Sequence, residues 1–200
     1  LGADIYKDHN GQWHVHGVGI GGLKEPDHPL DMGNSGTGVR LMMGLVATHP
    51  ISVTFTGDAS LSTRPMKRVT DPLSGFGTTF EGNEDGTLPI TVKGVNTPIP
   101  IKYELPVASA QVKSAVMLAA LNTPGTTTVV ETIPTRDHSE RIFDYFGVPI
   151  KLEGDEIKVT GHAEITAKEM AVPADPSSAS FLIVAALITE GSDITIQNVG

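Results

Sequence analysis

GNSGTGVRLMMGLVATHPISVTFTGD, residues 33–58, is the stretch on which the fold turns. It opens with small polar residues, runs on as an apolar helix, breaks at Thr-His-Pro and ends in a β-branched strand. Two further stretches share that plan: SAQVKSAVMLAALNTPGTTTVVET from Ser109 and SSASFLIVAALITEGSDITIQNV from Ser177. A pattern that returns in this way marks a repeat architecture. The first two copies align at a spacing of 75 residues, which sets Gly44-Leu45-Val46 on Ala119-Ala120-Leu121 and Gly36 on Gln111.

In both copies the strand is followed by a turn, an arginine and a second helix, TRPMKRVTDPLSGF from Thr63 and TRDHSERIFDYF from Thr135. Two strand candidates come next, TTFEG and ITVKG in one copy, VPIKLEG and EIKVTG in the other. IKYEL, residues 101–105, is a connecting strand. The unit is therefore α/β: helix, strand, helix, strand, strand, plus the connecting strand. The third copy stops after its helix and the strand DITIQNV, and the opening WHVHGVG reads as the strand end of a copy that begins elsewhere. Asp175 before Pro176 predicts an N-cap with a first-turn proline, and Asp137 with Glu140 predicts a capping box. The unbroken apolar runs 115–121 and 181–188 predict helices buried on nearly all sides.

Composition narrows the function. The chain has 200 residues, 39% of them hydrophobic, and no cysteine. A disulfide framework, a thiolate metal site and a cysteine nucleophile are excluded. A net charge of -9 disfavours nucleic acid and acidic membranes, which bind by pairing many phosphates with Lys and Arg. The longest apolar run, 181–188, is far short of the ~20 residues that cross a bilayer.

Three helix starts rich in Gly, Ser, Asn and Gln offer unpaired backbone N–H groups and the positive end of a helix dipole. By pattern alone they serve either an anion or the close packing of buried helices. GNSGTG lacks the Lys-Ser/Thr ending of a P-loop and the spacing of a dinucleotide fingerprint. Arg64 and Arg136 stand at matching places, each between a strand and a helix, where a guanidinium can clamp a phosphate or rest in solvent. Arg40 is placed to pair with a carboxylate. His14 and His16 share one strand face without a third ligand, so no metal site is expected, and His138 is a candidate for a substrate edge.

LDMGNSGTGVRLMMG from Leu30, GDASLSTRPMKRV from Gly57, LPVASAQVKSAVMLAAL from Leu105, TRDHSER from Thr135 and VPADPSSASFLIVAAL from Val172 together resemble the EPSP synthase family. The resemblance runs along essentially all 200 residues, and SAQVK and RDHSE are similar to its class II bacterial members, some of them glyphosate-tolerant. Tolerant members often carry alanine where this chain has Gly36. The resemblance implies the enolpyruvyl transferase fold of βαβαββ units, with one nearly complete domain over 1–171 and the start of a second over 172–200. It implies an internal piece of a longer cytoplasmic enzyme, a monomer when full length, which needs no cofactor and passes the enolpyruvyl group of phosphoenolpyruvate to shikimate 3-phosphate. It assigns Ser109, Ala110, Gln111, Thr135 and Arg136 to shikimate 3-phosphate, and Gly36, Arg64 and Gln111 to phosphoenolpyruvate. It places the acid and base residues outside this chain. Two other readings stay open, a UDP-N-acetylglucosamine enolpyruvyl transferase and a binding module without catalysis. The reactive cysteine of the former lies five residues before an Arg-Pro pair, where this chain has Ala59 before Arg64-Pro65.

Overall fold

The computed structural model describes residues 1–199, which divide into two compact units, Leu1–Thr166 and the residues from Ala167 onward. The first unit holds the repeat. Its first copy runs β3 (Leu30–Asp31), α1 (Gly36–Ala47), β4 (Ser52–Thr56), a short 3-10 turn (Leu61–Thr63), α2 (Lys67–Ser74), β5 (Thr79–Gly82) and β6 (Ile90–Lys93). The second runs β7 (Lys102–Glu104), α3 (Ala110–Leu121), β8 (Thr126–Val130), α4 (His138–Phe146), β9 (Ile150–Glu153) and β10 (Glu156–Thr160). Each is a βαβαββ unit. Ahead of them, β1 (Asp4–Lys7) and β2 (Trp13–His16) form an antiparallel hairpin.

The two copies build the same sheet. The first has the order β3-β4-β6-β5 and the second β7-β8-β10-β9. In each, the opening strand pairs parallel with the next, and the remaining pairings are antiparallel. Alternation places Val53 and Phe55 of β4, and Val129 of β8, in the core, while Thr54 faces outward and shares a 2.8 Å hydrogen bond with Thr91.

The helix starts correct the alignment by one residue. Ser35 caps α1 by accepting from Gly38 N, and Ser109 caps α3 by accepting from Val112 N, so the two serines are equivalent. The offset is 74 residues, the separation that also joins Thr37 to Gln111 and Thr48 to Asn122. Gly36 therefore matches Ala110, and Thr37 matches Gln111. The 75-residue match followed side-chain letters in the middle of the helices, where Ala and Gly recur and register is weakly marked.

α1 and α3 lie side by side and parallel. At their starts Gln111 Nε2 donates to Thr37 Oγ1, and at their ends Asn122 Nδ2 donates to the Thr48 carbonyl. Between these bonds the helices approach so closely that a Cβ on Gly44 would strike the backbone of Ala115. Their core faces carry Val39, Met43, Val46, Val112, Val116 and Met117, all buried. Each such side chain contributes about 1.5–3 kcal/mol on leaving water. The copies even share a close approach of strand to helix end: a Cβ on Gly94 would meet the Val46 and His49 carbonyls, and one on Gly161 the equivalent Ala120 and Thr123 carbonyls.

α4 does not start with a capping box. Asp137 occupies the N-cap position without a side-chain cap bond; its carboxylate pairs instead with Arg141 Nε at 2.7 Å. Glu140 turns inward, because a buried lysine offers it a stronger partner than a backbone N–H.

In the second unit, Asp175 caps α5 (Pro176–Ile188) through Ser177 N and Ser178 N, with Pro176 in the first turn. The apolar run 181–188 of α5, expected to be buried, is left bare by its own unit, with Phe181 79% exposed. The strand expected from DITIQNV does not form among the described residues. A single parallel bridge, Ala174 to Val199, stands in its place, since a strand needs a neighbour along its length to pair its N–H and C=O groups.

Candidate functional site

The start of α1 is a cationic cradle. Gly36 is buried there, and a Cβ on it would lie 2.9 Å from Arg64 Nη1 and 3.0 Å from Arg40 Nη1. Two guanidinium groups thus cross the first turn of a helix whose dipole is already positive at that end. Arg64 is held from both sides, donating from Nη2 to Asn34 Oδ1 at 2.7 Å and to Ser60 Oγ at 3.1 Å. Asn34 is oriented in turn by Asp58, whose Oδ2 accepts from Asn34 Nδ2 at 2.7 Å. The Leu61 N–H and the Asn34 amide, with smaller help from Arg64, hold the Asp58 carboxyl below its ordinary range.

Among the described residues Arg40 has no carboxylate partner, contrary to the expectation. It donates to the Gly36 carbonyl at 2.7 Å and to the Pro65 carbonyl at 3.5 Å. Burial first, then Arg64 and Arg68, push its pKa down. Neutral carbonyls satisfy its hydrogen bonds and leave its charge uncancelled, so the cradle stays net positive. An anion is the group that such a place accepts.

The start of α3 adjoins this cradle. Gln111, half-buried, donates from Nε2 to Thr37 Oγ1 at 2.7 Å, so the two helix starts meet edge to edge. Ser109 and Ala110 lie at the same end. One turn further along α3, Lys113 is fully buried and reaches Glu131 Oε2 at 3.0 Å and Glu140 Oε1 at 2.6 Å. Glu131 Oε1 accepts from Thr135 N at 3.0 Å and from the Thr135 hydroxyl. Arg136 follows, exposed, at the mouth of the β8–α4 turn.

One connected strip therefore holds the site residues expected from the sequence. It runs from Arg64 and Gly36 through Thr37 to Gln111, Ser109 and Ala110, then through Lys113 and Glu131 to Thr135 and Arg136. Sequence reasoning missed Thr37, Asp58, Lys113 and Glu131. Lys113 carried one usable signal, a charge inside an otherwise apolar helical run. Thr37 stands in the first turn of α1, Asp58 and Glu131 in polar segments just past a strand, and none of the three carried a signal. His138 is exposed and joins no contact of the strip. His14 is bound to Asp8 at 3.1 Å and stacks with His16 around Tyr6; no group of three metal-ligating side chains occurs among the described residues.

The family profile of EPSP synthase (3-phosphoshikimate 1-carboxyvinyltransferase) matches residues 1–200. The chain is 60% identical to the 3-phosphoshikimate 1-carboxyvinyltransferase of Novosphingobium aromaticivorans and 56% identical to that of Zymomonas mobilis. The matches take in 100% of this chain and 46% and 45% of those proteins. The chain thus spans about half the length of the curated relatives it matches. Among solved structures, EPSP synthase from Acinetobacter baumannii superposes with a TM-score of 0.86 at 44% identity, over 100% of this chain and 45% of that one. The enolpyruvyl transferase NikO from Streptomyces tendae, at 17% identity and a TM-score of 0.55 over 80% of this chain and 38% of that one, shares the fold. By a profile match along its whole length and a close structural likeness, the chain belongs to the EPSP synthase family.

Proposed function

We propose that this chain supplies the substrate-holding strip of a 3-phosphoshikimate 1-carboxyvinyltransferase of aromatic amino-acid biosynthesis. The supporting observation is the Gln111–Thr37 hydrogen bond, which sets two anion-ready helix starts side by side, one of them under two arginines. Phosphoenolpyruvate sits on the α1 start, held by Arg64, the Gly36 turn and Gln111. Shikimate 3-phosphate sits on the α3 start, against Ser109, Ala110 and Gln111, with Thr135 and Arg136 toward its phosphate.

In the reaction, protonation of the methylene carbon of phosphoenolpyruvate leaves cationic character on the neighbouring carbon. The 5-hydroxyl of shikimate 3-phosphate attacks that carbon and gives up its proton. The adduct then loses inorganic phosphate and a methyl proton, leaving the enolpyruvyl ether. Two bound anions held at fixed separation supply the orientation and charge balance that this addition needs. The arginine, amide and hydroxyl groups around the two anions keep one protonation state near neutral pH, and Lys113 and Glu131 of the strip are committed to each other. Proton transfer therefore belongs to residues beyond this strip, and residues 1–200 alone bind without turning over. In this reading 1–171 belong to one domain and 172 onward to the other, and the whole enzyme is a cytoplasmic monomer that uses no cofactor. No helix among the described residues is long and apolar enough to cross a membrane.

The test is phosphate release from phosphoenolpyruvate by the full-length protein. Turnover is expected with shikimate 3-phosphate as acceptor. Turnover with UDP-N-acetylglucosamine alone would overturn the assignment, as would tight binding of shikimate 3-phosphate without any turnover.

A further inference from the structure

Lys113 has no exposed surface, and the two carboxylates that pair with it are 10% and 7% exposed. Ion pairs taken out of water seldom stabilise a fold more than apolar side chains of similar volume, because each charge loses its hydration. The first repeat makes the same point within this molecule. At the offset of 74 residues, Lys113 corresponds to Val39, which is buried and apolar, and Glu131 corresponds to Gly57. The βαβαββ unit therefore forms without the charge cluster. In the second repeat the cluster stands behind the turn that carries Thr135 and Arg136, whereas in the matching turn of the first repeat Arg64 is held by Asn34 and Ser60.

The cluster ties that turn to α3. Lys113 lies on the helix whose start carries Ser109, Ala110 and Gln111, and Glu140 lies in the first turn of α4. Glu131 stands just past the end of β8 and divides its two oxygens, Oε2 to Lys113 and Oε1 to the backbone and hydroxyl of Thr135. A carboxylate held by a buried cation has one orientation available, so Thr135 and the neighbouring Arg136 are fixed relative to the α3 start.

We propose that Glu131, clamped by Lys113, is a positioning residue that sets the Thr135–Arg136 turn for a phosphorylated substrate. The inference rests on the functional reading above and names the residue behind its second anion pocket. Its test is Glu131→Gln and Glu131→Ala in the full-length protein. Glutamine keeps the volume and an acceptor for Thr135 but turns an amide toward Lys113, whereas alanine removes both contacts. The dissociation constant for shikimate 3-phosphate rises by about tenfold in the glutamine variant and further in the alanine variant. The Michaelis constant for phosphoenolpyruvate, at saturating shikimate 3-phosphate, stays within about twofold, because the α1 cradle is untouched.

A folded variant with wild-type affinity for shikimate 3-phosphate would overturn the proposal. So would parallel rises for both substrates, or loss of folding in both variants, since either marks the cluster as a support of the whole unit. Hydrogen exchange at the Thr135 amide separates the two readings. If the wild-type protein does not bind shikimate 3-phosphate, the functional reading fails. If the Thr135 amide exchanges no faster in Glu131→Ala, the positioning fails whatever the site binds.

Discussion

Gln111 Nε2 donates a 2.7 Å hydrogen bond to Thr37 Oγ1, and the two residues are the same position of two successive repeats. Internal symmetry thus brings two equivalent helix starts together.

Thr37→Val removes the acceptor while keeping the shape. A neutral hydrogen bond contributes about 0.5–1.5 kcal/mol, so the Gln111 amide loses its orientation at small cost to the fold. Steady-state kinetics of the full-length protein should show higher Michaelis constants for both substrates. Unchanged constants would mean that Gln111 is oriented by something other than Thr37.

Gly36→Ala acts on the arginines. The backbone accepts the change, since Ala110 stands at the equivalent position of α3. The new Cβ lies 2.9 Å from Arg64 Nη1 and 3.0 Å from Arg40 Nη1, both ends of flexible side chains that must move aside. Stability is held or slightly raised, as alanine favours helix over glycine by about 0.5–1 kcal/mol. Phosphoenolpyruvate use weakens while shikimate 3-phosphate binding persists, which isothermal titration and a melting curve together check.

Gly44→Ala is a different kind of change. Its Cβ meets the backbone of Ala115, which cannot swing away as a side chain can. α1 and α3 must part along their contact, at a cost of about 1–3 kcal/mol or more. Urea denaturation should show that loss, and a neutral result would mean that the two helices slide past one another freely.

His49 makes stability depend on pH. It is buried after the end of α1, with Nδ1 2.9 Å from the Leu45 carbonyl. Burial pushes its pKa down, against a smaller upward push from the Leu45 carbonyl. The unfolded chain, with a histidine near about 6.5, then takes up a proton before the folded one does. Stability from the neutral ring is fully present above that value and is lost as pH falls from it toward the lowered folded pKa. Denaturation midpoints measured downward from pH 7 should fall, and His49→Gln should flatten the slope.

Much of the fold was legible because it is written in periodicity. Apolar helical runs followed by β-branched strands identified both βαβαββ units, and Asp175 with Pro176 marked the start of α5. Local signals failed where a distant partner competed. Asp137 and Glu140 have the spacing of a capping box, yet Arg141 takes one and Lys113 the other. DITIQNV has the composition of a strand and finds no strand beside it among the described residues.

Residue order along single segments suffices for the repeat, the family and the position of the polar helix starts. The 74-residue register, the bond from Gln111 to Thr37 and the link from buried Lys113 through Glu131 to Thr135 emerge from the packed fold. Those features join side chains from segments far apart in the chain. Their pairing is set by how distant elements pack, which no local pattern encodes.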